Sequence, residues 1–163
     1  MSQATDTETE TAVAAALRTL LRETFEGPSG SSTYFIDNDP KAGLLPALDG
    51  LTPQEASVPS PGGATIAGHA HHVAFHLEMS SAWVRGDHAD RDWKESWKVR
   101  EVDAKAWERV RRDVRTKYAD LVRAIEERPN ARSEDLATSI GAVAHAAYHL
   151  GAIRQRIAAG KSC

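Results

Sequence analysis

Residues 139–153 read SIGAVAHAAYHLGAI, and the period of this stretch decides the fold. Val143, Ala146, Leu150, Ile153 and Ile157 recur at helical spacing along one stripe, and nothing in the stretch alternates in the manner of a strand. His145 and His149 stand four positions apart, about 40° around a helix axis and one turn along it, so both imidazoles can reach one point. The helix that carries them, helix 4, starts between Ser133 and Thr138 and runs to about Gly160.

Outward from there the helical period persists. Helix 3 has a clear start: Asp103 fits the N-cap, and Val102 with Trp107 has the spacing of a hydrophobic staple. Trp107, Val110, Val114, Tyr118, Leu121, Val122 and Ile125 then trace one face up to Pro129. The arginines of its other faces alternate with acids, which describes a solvated mixed-charge surface. Helix 2 begins at the N-cap candidate Thr65 and stops at about Gly86. Helix 1, about Thr9 to Glu26, carries Val13, Leu17, Leu20, Leu21 and Phe25 on one stripe. The connection from Gly27 to Gly63 is rich in Gly, Ser, Pro and Asp, with an apolar patch at Leu44, Leu45, Leu48 and Leu51 that predicts one short helix. Asp87 to Asp103 is long enough to cross between non-adjacent helix ends. The class is all-α, and four packed helices in a single domain is the economical architecture.

Bulk properties exclude several roles. The chain has 163 residues, 41% hydrophobic and 26% charged, which suits one core. A net charge of -3 and a pI near 6.2 offer no basic field for nucleic acid or an anionic membrane. No apolar run is expected to reach the ~20 residues that span a bilayer, and the start, MSQATDTETE, lacks a signal-peptide pattern, so a cytoplasmic protein is expected. The one cysteine, Cys163, is terminal and a poor candidate for catalysis.

Seven histidines are many for this length, and six of them fall in helices 2 and 4. In helix 2, His69, His72 and His76 share an arc of about 60°, whereas His71 points away from it. Two apolar stripes flank the arc, Ile66/Val73/Leu77/Val84 and Phe75/Met79/Trp83, which turns it towards the bundle interior. Two imidazoles from helix 4 make an incomplete site for a borderline metal ion, which in catalytic centres takes three protein ligands and keeps a position open. His69, His72 and His76 are the candidates for the third. The contrary reading is that these are hydrogen-bonded core histidines with no metal at all.

At these residues the sequence resembles the DinB-like superfamily. Thr65-Ile66-Ala67-Gly68-His69-Ala70-His71-His72-Val73 is similar to the family's second-helix pattern ending in a ligand histidine, and residues 139–153 to its fourth-helix H-x-x-x-H-x-G-x-I pattern. The resemblance implies a four-helix bundle of up-down-down-up topology, often dimeric, holding one divalent metal ion such as Zn, Ni or Fe. It implies His72, His145 and His149 as ligands. His69 stands where relatives usually have an apolar residue, so His69 and His76 become either partners that orient a ligand or alternative ligands. Arg156, seven residues beyond His149, shares its face and is a candidate contact for an anionic substrate; a surface arginine at the bundle's end is the simpler reading.

A three-histidine metal with open positions makes a nucleophile from a bound water or thiol near neutral pH. Characterised members of the resembled family include transferases and isomerases that use a low-molecular-weight thiol, so a small-molecule enzyme of that kind is the first expectation. The second is a metal-binding or stress-related bundle without turnover, in which the ion stabilises the fold. Glu78, Asp87 and Tyr148 are acid/base candidates that read more simply as surface or packing residues.

Overall fold

Thr65 and Asp103 cap the helices whose starts they predict. The Thr65 side chain accepts from the Gly68 N–H and the Asp103 carboxylate from that of Ala106, at 3.0 and 2.6 Å. The computed structural model describes residues 2–60, 62–128 and 133–160. Among these it is all-helical, with no strand: α1 Ser2–Glu26, α2 Leu44–Asp49, α3 Pro53–Ala56, α4 Ile66–Val84, α5 Ala104–Glu127 and α6 Ser133–Gly160, plus a 3₁₀ turn at Trp93–Trp97. Predicted helices 1 to 4 are thus α1, α4, α5 and α6. Pro129 and Cys163 lie outside the described residues.

Three boundaries differ from expectation. Helix α1 starts at Ser2 rather than near Thr9, because the segment ahead of its apolar stripe contains neither Gly nor Pro to stop it. The first connection holds two short helices, not one. Gly50 follows the first, and Thr52 then opens α3 with a capping box: its hydroxyl accepts from the Glu55 N–H while the Glu55 carboxylate accepts from that of Thr52. The second connection contains the 3₁₀ turn, whose cap Asp92 accepts from the Lys94 N–H. At the end of α4, Gly86 (φ +92) donates to Trp83 and Asp87 donates back to Ala82, the bond pattern of a Schellman stop.

The four long helices and the two short ones share one apolar core. Leu17, Leu21 and Phe25 of α1 meet Leu44 and Leu48, Val73, Leu77 and Val84 of α4, Trp107, Val114 and Leu121 of α5, and Ala146, Leu150 and Ile153 of α6. Two of its large polar side chains find partners: the Trp107 indole N–H donates to the Leu51 carbonyl at 2.9 Å, and Tyr118, stacked on Phe25, donates to Glu26, whereas the Trp83 indole N–H and Arg111 Nε are buried without a hydrogen-bond partner. Glu23 is buried too, and its carboxylate accepts the backbone N–H groups of Tyr34, Phe35 and Ile36, fastening the first connection to α1.

Helix α4 is central, packed on α5 along one side and on α6 along another, with the 3₁₀ turn against its N-terminal half. The strap that follows the turn runs so close that a Cβ on Gly68 would stand 2.9 Å from the Val99 carbonyl oxygen. The Thr65 hydroxyl fixes the same strap by donating to the Arg100 carbonyl. One expectation needs correcting: Glu134–Gly160 is long and apolar enough to cross a membrane by length and composition, with a mean hydropathy of 1.2. The reason is that α6 is poor in charge on its outer face as well as its inner one, while its inner face packs on α4 and α1.

Candidate metal centre

The helical arithmetic places five histidines between α4 and α6, and the structure brings them into one cluster. His72, His145 and His149 each offer a ring nitrogen, and the three atoms lie within 4.8 Å of one another. His72 and His149 are buried and His145 is half-buried. The Nε2 atoms of His72 and His145 are 3.0 Å apart, a gap that one ion with metal–nitrogen distances of about 2.1 Å can bridge. His71 faces away, as its angle requires, and meets the Glu95 carbonyl at 3.1 Å.

His69 and His76 join the cluster without joining the triad. His69 sets its Nδ1 2.8 Å from the Nδ1 of His149. His76 stacks on His145 with ring centroids 3.8 Å apart, and its Nδ1 is 3.3 Å from the Ser80 hydroxyl. Each therefore contacts one ligand candidate, His69 through a ring nitrogen and His76 through its face.

Burial sets the charge state. Removal from water pushes His145 and His149 down to about 3 and His69 and His76 to about 4, because an imidazolium there would lose its hydration. The neighbouring imidazoles, and Arg156 in the case of His69, push in the same direction. His72 is lowered likewise, first by burial and then by His71. At neutral pH the cluster is uncharged, which is the form that binds metal. Three imidazole nitrogens in this form fit a borderline divalent ion.

The surround is aromatic. Trp97 of the 3₁₀ turn stacks on His72 at 4.2 Å and meets His69 edge-on at 5.4 Å; Trp93 faces His76 at 6.2 Å, and Tyr148 meets His149 edge-on at 5.1 Å. These three aromatics are 38%, 47% and 72% exposed, so they form a rim between the cluster and solvent. A cleft of about 250 Å³ adjoins Trp97, lined also by Gly63, Gly68, Val99 and Arg100. Arg156 donates to the Ala64 carbonyl and the Ser60 hydroxyl, which ties α6 to the loop ahead of α4. Glu78 is paired with Lys117 on the surface and Asp87 caps its own loop, so neither approaches the cluster; Tyr148 does.

Sequence reasoning missed Ser96. This fully buried residue of the 3₁₀ turn has its hydroxyl 2.9 Å from His72 Nδ1. Asp92 ahead of Trp93 was the available signal for a helical start. No curated protein and no solved structure matches the chain. A model of the DinB superfamily matches residues 41–152, a span that runs from the start of α2's approach into α6 and contains every histidine. The chain belongs to the DinB superfamily.

Proposed function

We propose that this protein is a divalent-metal-dependent enzyme that couples a low-molecular-weight thiol to a small electrophilic substrate, as a transferase or isomerase. The observation that carries the reading is the convergence of three neutral imidazoles, within 4.8 Å, beneath a partly exposed aromatic rim. His72 and His145 would hold a Zn, Ni or Fe ion through Nε2, and His149 through Nε2 because its Nδ1 is engaged by His69. When bound, such an ion lowers the pKa of a thiol or water in an open position and stabilises the resulting anion. His69, turned to His149 rather than into the triad, leaves that position free. Trp93, Trp97 and Tyr148 exclude water and present apolar faces to the substrate, and Arg156 supplies positive potential at the α6 end of the cluster.

The surrounding architecture is read as a single-domain, up-down-down-up bundle. Its support is that the strap leading into α5 is held at the first turn of α4, so α4 and α5 start at the same end. The outer face of α6, with Ile140, Gly141, Ala144, Tyr148 and Gly151 exposed and uncharged, suits a homodimer contact. Cytoplasmic residence completes the proposal.

The test has two arms. Protein purified without nickel resin should carry close to one metal equivalent, and His149→Ala should abolish its retention; normal metal content in that variant would defeat the ligand assignment. The metal-loaded protein should then consume detoxification electrophiles with at least one of several small thiols. Turnover with none of them would favour a metal-binding bundle without catalysis.

A further inference from the structure

The 3₁₀ turn does more than bridge α4 and α5. Its Ser96 lies between two partners, the Trp93 carbonyl at 2.7 Å and His72 Nδ1 at 2.9 Å. A serine hydroxyl has one proton and a carbonyl has none, so the short contact to Trp93 requires that the Ser96 proton point there. The oxygen of Ser96 can then only accept from His72. His72 must accordingly carry its hydrogen on Nδ1, which leaves the Nε2 lone pair facing His145 Nε2 at 3.0 Å.

We infer that Ser96 is a positioning residue for the metal centre: the chain His72 Nδ1–H to Ser96 Oγ–H to Trp93 carbonyl fixes the His72 tautomer in which Nε2 is free to bind the ion. The inference rests on the three-histidine metal reading above. Two further features hold the chain in place. Ser96 is completely buried, so water does not compete for its hydroxyl. Trp97, the next residue, stacks on the His72 ring with an interplanar angle of 19° and blocks its rotation out of the hydrogen bond. The turn therefore fixes both the tautomer and the ring plane, as partners behind metal-bound histidines generally do, at a typical worth of about 10- to 100-fold in metal affinity.

The experiment compares wild type with Ser96→Ala in two measurements. Long-range ¹H–¹⁵N correlation spectra of the metal-free proteins report which His72 nitrogen is protonated, and chelator competition gives the Zn²⁺ dissociation constant. Wild type should show His72 protonated on Nδ1. Ser96→Ala should shift His72 towards the Nε2-protonated tautomer and weaken Zn²⁺ binding about 10- to 100-fold, with unchanged stoichiometry. Ser96→Thr, which keeps the hydroxyl, should retain the wild-type tautomer. Zn²⁺ affinity in Ser96→Ala equal to that of wild type would overturn the role of Ser96 while leaving the metal site standing. Failure of wild type to bind Zn²⁺ at all would overturn the metal reading and this inference with it. Should Ser96→Ala not fold, the wild-type spectrum still decides, since an Nε2-protonated His72 overturns the proposal.

Discussion

Helix α4 has two sides that obey opposite rules. Towards α5 it presents Val73, Leu77 and Val84 to a core of Trp107, Val114 and Leu121, where only shape and apolar area count. Towards α6 it presents His69, His72 and His76 to His145 and His149, where every ring nitrogen needs a partner and the whole group must stay uncharged. The first side stabilises the fold. The second is held in place by it, since buried imidazoles do not repay their own desolvation unless a hydrogen bond or an ion satisfies them. Beside the histidines, Ser96 and Trp97 hold His72 by a hydrogen bond and by ring stacking, whereas Trp107 on the apolar side fills space in the core.

Three changes would break or sharpen that contrast. The largest effect is expected on the apolar side: Leu77→Ala opens a cavity in a fully packed region and should cost about 2–5 kcal/mol in chemical denaturation. The fraction that remains folded should bind Zn²⁺ with wild-type stoichiometry, and a lost site in that fraction would show that the two sides are not separable. Next comes Gly68→Ala, in which the new methyl meets the Val99 carbonyl oxygen at 2.9 Å. A loss of about 1–3 kcal/mol is expected from the displaced strap, together with weaker Zn²⁺ binding because Ser96 and Trp97 shift with it. Undiminished affinity would mean that strap and turn move independently.

The smallest expected effect, taken per histidine, is the pH dependence of the metal-free protein. The folded-state values of His69, His76, His145 and His149 lie at about 3 to 4, below the value of 6.5 for a free imidazole. Between those limits the unfolded chain binds more protons, so stability is complete above about pH 6.5 and falls as the pH drops through 6 and 5. Each of the four groups contributes a slope of up to about 1 kcal/mol per pH unit, so the sum is several-fold larger, read from denaturation midpoints at pH 7.5, 6.0 and 5.0. His145→Ala should reduce it, whereas Leu77→Ala should leave it as it was.

Much of this arrangement is legible in the sequence because it depends on local rules. Thr65 and Asp103 announce helix starts through side-chain chemistry alone, and the five clustered histidines follow from 100° per residue. The Thr52-Pro53-Gln54-Glu55 capping box is equally local, and it marks a second short helix where the apolar patch at Leu44, Leu45, Leu48 and Leu51 predicts one. The roles of Ser96 and Trp97 were not readable. Their turn is too short to show a period, and its meaning depends on a strap that folds back over α4, a tertiary fact with no local signature. Glu23 is similar: an acid on a helix is expected to face water, and only the return of residues 34–36 provides the donors that let it be buried.

The composition of the ligating group has one more consequence, for charge balance. Among the described residues the group that can hold a metal consists of histidines alone, with no carboxylate and no thiolate. Neutral imidazoles contribute no negative charge, so the two positive charges of a divalent ion would remain whole in a poorly hydrated place, with Arg156 close enough to be felt by His69. On the proposed function, an incoming ligand would correct that imbalance. An anion would suit the proposed open position, and a small thiol, which becomes one by giving up a proton, would meet the requirement better than a neutral molecule of its size.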